Sequence, residues 1–256
     1  MLILLPPSET KLRPDAGTPF DIDALTRPAL RAARSTMLRA VARTANGRNA
    51  GERLGVPAGA PELVERMAEI MAEPAAPVLE VYAGVLFDQL HGARPRPDRE
   101  VLVQSALLGL VDAATDRIPA YRLSAGSDVQ RLGRPGSWWR ARLEATGREL
   151  MAHVAQSPSP FVLDCRSGAY RAMMPLRSTP EARVLEVAPV QERAGRRTVI
   201  SHDAKRYRGV LTRTLLAQKD PIPHAEALIE VLRGAFAGEL GVELSGDRLV
   251  LVDARE

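Results

Sequence analysis

Apolar residues open the chain without a break from Met1 to Leu5, and two prolines at positions 6 and 7 end the run. An uninterrupted apolar stretch of that length predicts a short strand covered on both faces. From residue 22 to residue 41 the apolar positions recur at helical spacing. This predicts a helix broken near Pro28, with Arg31, Arg34 and Arg39 along its wet edge. The Gly, Asn and Pro content of residues 46–60 predicts a surface loop. Helical periodicity returns over residues 61–71, 77–90, 98–113 and 138–154. Strand patterns then occupy 161–164, 184–190, 198–201 and 249–252, with helices over 168–174, 204–218 and 224–240. The mixture predicts an α+β fold, a mixed sheet surrounded by helices. No repeat or linker divides it, so residues 1–256 are expected to form one compact domain.

Composition narrows the class. With 45% hydrophobic and 26% charged residues the chain can build a core, which excludes a disordered protein. The formal charge is only +4, but it is unevenly spread. Residues 117–213 carry eighteen Lys and Arg against eight Asp and Glu, and residues 11–53 carry nine against four. A fold that keeps these segments together presents a basic face or cleft. Lysine is confined to Lys11, Lys205 and Lys219, so each is a candidate for a specific task. The single cysteine, Cys165, rules out an internal disulfide, and the first apolar run is too short for a signal peptide or a membrane span. A cytoplasmic protein without a membrane partner is expected. His91, His153, His202 and His224 are scattered, with no metal-ligand spacing, so neither a metal nor a cofactor is expected.

The most informative stretch is Ser201 to Arg213, where Lys205, Arg206, Arg208 and Arg213 surround Tyr207 at the handover from a β-branched strand pattern to a helix. Fixed cations on the first turns of a helix suit a polyanion, because free backbone N–H groups there already favour phosphate. Helical spacing puts Lys205, Arg208 and Thr212 on one face, with Arg206 and Arg213 on others. The plainer reading is a solvated helix with scattered arginines.

Three further segments could carry chemistry. Cys165 is followed by Arg166 and, six positions on, by Arg171, between a strand pattern and a helix pattern; a cysteine phosphatase loop has this plan, and Cys-Arg-Ser-Gly is close to a rhodanese loop. Asp164 directly before the thiol opposes both, since it would raise the thiol pKa and repel an anion, and a buried strand-end cysteine is the alternative. Ser8-Glu-Thr-Lys11 has the S-x-x-K spacing of a serine nucleophile but lacks its supporting motifs, which leaves Lys11 as a phosphate or carboxylate ligand or as a lysine in water. Tyr121 and Arg122, two residues before Ser124, could stack a base or clamp a carboxylate, or could equally be a half-buried tyrosine with a snorkelling arginine.

Taken together, the opening Met-Leu-Ile-Leu-Leu-Pro-Pro-Ser-Glu-Thr-Lys, the central Leu-Gly-Leu…Pro-Ala-Tyr-Arg-Leu and the late Ile-Ser-His-Asp-Ala-Lys-Arg-Tyr-Arg-Gly resemble the YaaA peroxide-stress family in order and spacing across nearly the whole chain. The resemblance implies a positively charged cleft, DNA binding, and a role in limiting iron-driven oxidative damage when hydroperoxide rises. It places Lys11, Arg122, Lys205, Arg208 and Gly209 on recurrent family positions. It also implies a helix-hairpin-helix element, here expected near residues 98–123, although Ala106 stands where the first glycine of its hairpin would be.

Two classes of function follow. In the first, the protein binds DNA largely without sequence preference, through phosphate contacts from Lys11, Arg122, Lys205, Arg206, Arg208 and Arg213 with Gly209 beside them. Ser8, Tyr121, Ser124, Arg166 and Tyr207 are secondary cleft candidates, Arg196 and Arg197 would sit on the rim, and no residue is assigned catalysis. In the second, an enzyme holds a small anion such as a nucleotide, with Ser8, Asp203 or Tyr207 moving protons. The balance favours the binding protein, and the shape of the cleft separates the two.

Overall fold

The structure, a computed structural model, describes residues 1–193, 196–199 and 203–254. Strand β1 (Leu2–Leu5) is the apolar run at the start of the chain. Beyond two single-turn 3-10 segments come helices α1 (Arg31–Ala45), α2 (Ala50–Leu54) and α3 (Glu62–Ala68). Strand β2 (Ala75–Pro77), the one-turn helix α4 (Val78–Val81) and a 3-10 turn at Phe87–Leu90 lead into β3 (Glu100–Ser105), β4 (Gly109–Asp112) and β5 (Arg117–Pro119). Helices α5 (Pro135–Arg142) and α6 (Glu144–Ala155) precede β6 (Phe161–Asp164), α7 (Gly168–Met173), β7 (Arg183–Arg193) and β8 (Arg196–Val199). The chain continues with α8 (Asp203–Ala217), α9 (Ala225–Ala235), β9 (Gly241–Ser245) and β10 (Arg248–Asp253).

These elements make one compact α+β fold around a mixed sheet in the order β4-β3-β1-β6-β7-β10-β9. Strands β3, β1, β6, β7 and β10 are mutually parallel, while β4 and β9 run antiparallel at the two ends. β8 pairs antiparallel with the far half of β7, beyond the residues that pair with β6. Strands β2 and β5 form a separate two-stranded sheet. The central strands explain their own placement: Leu2–Leu5 and Val101–Val103 are almost completely buried, as strands covered on both faces must be.

The winding of the sheet matters for function. From β1 the chain moves to β3 on one side, whereas from β6 it moves to β7 on the other. β1 and β6 are neighbours. The loops leaving their carboxyl ends therefore diverge and open a crevice between them, the usual place for a ligand in an open sheet of this kind.

Several expected elements differ. The helix expected over 98–113 is the β3–β4 hairpin, and with β5 following, no helix-hairpin-helix forms near residues 98–123. The reason lies in the apolar runs Val101–Val103 and Ala106–Leu108 on either side of Gln104 and Ser105, which are ambiguous between a buried strand and a buried helix. Gly109 decides the turn: its φ is +77°, and an added Cβ would lie 2.8 Å from the ring of Trp139, whose indole N–H donates to the Ala106 carbonyl. The helix over 77–90 is instead a strand end, one helical turn and a 3-10 turn, and residues 138–154 belong to two helices that meet at Leu143. The expected loop over 46–60 contains α2, bounded by Asn49 and Gly55 in left-handed conformations. The helix over 22–41 does break at Pro28, but Arg34 is not on its wet edge. It is fully buried and donates to the carbonyls of Thr26, Leu108 and Leu110, fastening α1 to the hairpin; loss of hydration pulls its pKa down to about 10. The strand expected over 198–201 is described only as far as Val199, and residues 200–202 lie outside the described residues. Among the described residues no helix is long and apolar enough to cross a membrane.

Candidate functional site

The crevice between the β1 and β6 exits is a cleft of about 570 Å³. Its first wall is the loop after β1, from Pro6 to Thr10. This loop is pinned to the segment after α4, since the amides of Leu12 and Ala83 donate to the carbonyls of Val81 and Thr10. A second wall runs from Ala83 to Phe87, a third is Arg122 to Ser124, and Ser167 just before α7 and Tyr170 on it, with Lys205 and Arg208 on α8, complete the rim. Among the described residues three cations and one carboxylate, Glu9, therefore face the same space.

Each cation is held differently. Arg122 donates from Nε to the Gly55 carbonyl (2.8 Å) and pairs loosely with Glu9 (3.3 Å), so it joins the end of α2 to the β1 loop. Lys205 is exposed and makes no hydrogen bond or ion pair with the described residues. Arg208, one helical turn later, is half-buried; it reaches the Val187 carbonyl only at 3.3 Å, and its Nε is out of water without a partner among the described residues. Burial holds the Arg208 pKa below its usual value, offset in part by the nearby Cys165. The spacing that puts Lys205 and Arg208 on one helical face thus delivers both to the cleft, and the Thr212 hydroxyl on that face donates back to the Arg208 carbonyl (2.8 Å).

Beneath the cleft lies Lys11. Its ammonium donates to the Ser8 carbonyl (2.7 Å) and sits 4.0 Å from the Tyr121 ring centroid and 5.3 Å from that of Tyr82. Loss of hydration, with Arg122 close by, pulls its pKa down to about 7, against the pull of Glu9 in the other direction. The two ring faces favour the charged form. The tyrosine hydroxyls bond to each other (2.8 Å), and that of Tyr121 also bonds to Ser105 (2.8 Å), whose hydroxyl accepts the Leu108 amide. Burial raises the pKa of both tyrosines. Tyr121 is therefore a floor beneath Lys11, not a stacking surface in the cleft. Ser8 lines the cleft, yet its hydroxyl is committed to the Thr10 carbonyl and the Ala83 amide, so it shapes the loop. Ser124 is exposed on the opposite wall.

The remaining candidates sit elsewhere. Arg166 is completely buried in a bidentate pair with Asp164 (2.7 and 2.9 Å) and also donates to Gln104 and to the Met174 carbonyl; it ties the β6 exit to the sheet. Tyr207 is buried with its hydroxyl donated to Asp253. Gly209 serves packing: a Cβ there would fall 2.4 Å from the Leu86 carbonyl, so only glycine lets α8 lie against the 3-10 turn at Phe87–Leu90. Arg213 caps that turn by donating to the Gln89 and His91 carbonyls (3.1 and 2.9 Å). Arg206 is exposed beside the ring of Tyr207 and does not line the cleft. Arg197 is answered by Glu192 and Glu243. Cys165 is sealed in the core with its pKa pushed up to about 12, chiefly by burial, and Arg171 is turned toward Glu186; neither phosphatase nor rhodanese geometry is present.

Glu9 and Tyr170 were missed in the sequence. Glu9 is the carboxylate of the cleft, and the Tyr170 ring is a wall of it, with its pKa raised to about 12 by burial.

Comparison with known proteins adds the following. The family described as peroxide stress protein YaaA matches residues 1–236. A UPF0246 protein of Streptomyces coelicolor is 35% identical over 255 residues, covering 96% of this chain and 93% of the relative. UPF0246 proteins of Corynebacterium glutamicum and Corynebacterium efficiens are 34% and 33% identical, each covering 92% of this chain and 93% of the relative.

Proposed function

Since the chain belongs to the peroxide stress protein YaaA family, we propose that it serves the peroxide response by holding DNA through its phosphate backbone, largely without sequence preference, and so limits iron-driven damage. The observation that carries this reading is Lys205, exposed on the rim without a protein partner among the described residues. Arg206 is exposed next to it, and Arg208 and Arg122 stand behind it in the cleft. Cations placed this way neutralise phosphates and release counterions, which gives affinity without reading bases. The protein needs no base-specific contact for such a task. The test is fluorescence anisotropy with labelled duplex: Lys205→Ala with Arg206→Ala should weaken binding at least tenfold while the melting temperature stays unchanged. Unaltered affinity in that variant would remove α8 from the interface.

A further inference from the structure

We propose that the cleft between the β1 and β6 exits takes one nucleotide, its phosphate against Arg208 and Lys205 and its base along the apolar wall. The inference rests on the backbone-binding reading for the phosphate and adds the nucleotide. Three observations carry it. The first is position, since the diverging loops at a switch in sheet winding form the usual ligand crevice and the cleft occupies that point.

The second is size and polarity. About 570 Å³ lies within the range of pockets that bury a small molecule, and far too little to admit paired, stacked bases. One part of the lining is apolar, from Pro7, Leu86, Leu123 and the ring of Tyr170; the cations face the same space from α8 and from Arg122. An aromatic ring beside fixed cations is the arrangement that receives a single unstacked base and its phosphate.

The third is an unmet demand. Arg208 keeps Nε out of water without a partner among the described residues, and its other recorded bond is long. A buried donor left this way costs free energy, which a phosphate oxygen removes by accepting at Nε once the half-buried side chain turns toward the cleft. The Ser167 hydroxyl, on an exposed residue at the cleft, can bond the sugar.

The nucleotide can arrive free or unpaired within a strand. Calorimetric titrations of the full chain with inorganic phosphate, a panel of nucleoside 5′-monophosphates, and single-stranded, bubble and duplex DNA of equal length distinguish the sources. Saturable binding of a monophosphate at least tenfold tighter than phosphate is expected, as is a preference of tenfold or more for unpaired strand over duplex. Competition between monophosphate and strand would assign the strand as the source, and monophosphate binding without competition the free nucleotide; both support the site. Arg208→Gln and, because that side chain is half-buried, the exposed Lys205→Gln should each reduce monophosphate affinity about tenfold. Arg213→Gln, outside the cleft, should not. Salt-dependent duplex binding with no saturation by any monophosphate and no preference for unpaired strand would overturn the nucleotide site and leave the backbone reading standing. Absence of binding in every arm would remove both.

Discussion

Lys11 holds its ammonium 4.0 Å from the centre of the Tyr121 ring while donating to the carbonyl of Ser8. The contact places a lysine with a pKa near 7 directly under the loop that walls the cleft. Below pH 7 the folded protein carries that charge on a half-buried side chain; above it the amine is largely neutral.

The sign of the resulting pH dependence follows. The unfolded chain keeps the lysine proton up to its ordinary value of 10.5, and the folded chain releases it near 7. Between those values the unfolded state binds more protons, so this group's contribution to stability rises with pH across the window and is smallest below 7. Thermal melts of Lys11→Met should show a gain over wild type at pH 6 that shrinks steadily toward pH 10. A pH-independent difference would mean that the amine keeps its ordinary pKa.

An anion in the cleft should draw a proton onto Lys11. At pH 7.5 binding is therefore expected to take up a fraction of a proton, read as a dependence of the calorimetric enthalpy on buffer ionisation enthalpy. Lys11→Met should abolish the uptake. Equal uptake in the variant would assign the proton to another group.

Gly209→Ala tests the packing of α8. The new methyl meets the Leu86 carbonyl and the Gln89 side chain, so helix and turn must move apart, at a cost of about 1–3 kcal/mol. A domain of this size should lose several degrees in melting temperature, with weaker ligand binding because Lys205 and Arg208 ride on that helix. A variant as stable as wild type would show that the two segments can separate freely.

Arg166→Ala separates fold from function. It strands Asp164 without its buried partner, and a deletion of that kind costs about 3–5 kcal/mol. DNA affinity of the folded fraction should stay within twofold of wild type. A large loss of affinity at unchanged stability would return Arg166 to the binding surface.

Glu9→Gln should raise affinity. The carboxylate faces the same cleft as three cations and repels phosphate there, while its 3.3 Å pair with Arg122 is mostly exposed and contributes little to stability. A two- to fivefold gain at low salt that fades as salt rises is expected in the anisotropy titration. A loss would mean that Glu9 orients Arg122 for the ligand.

Much of this architecture is legible in the sequence where one local pattern decides. Strand β1 is an unbroken apolar run and β6 is one up to Leu163, and Tyr207, Leu211 and Leu215 give α8 its buried stripe and put Lys205 and Arg208 on a common face. The β3–β4 hairpin is not legible, because the apolar runs Val101–Val103 and Ala106–Leu108 suit either conformation and the decisive contact, Gly109 over Trp139, joins residues thirty positions apart. Charge alone also misleads. Arg34 and Arg166 read as wet or cleft residues, yet their partners are backbone carbonyls of a distant hairpin in one case and the neighbouring Asp164 in the other. Glu9 and Tyr170 enter the cleft only through the sheet order that brings the β1 and β6 exits together.

The most direct test of the central claim is duplex affinity measured across a salt series for wild type and for Lys205→Ala with Arg206→Ala. Engagement of phosphate by Lys205, Arg206, Arg208 and Arg122 predicts a log–log slope of about −3 to −4 for wild type, shallower by about 2 in the double variant. A slope near zero, or the same slope in both proteins, would contradict it.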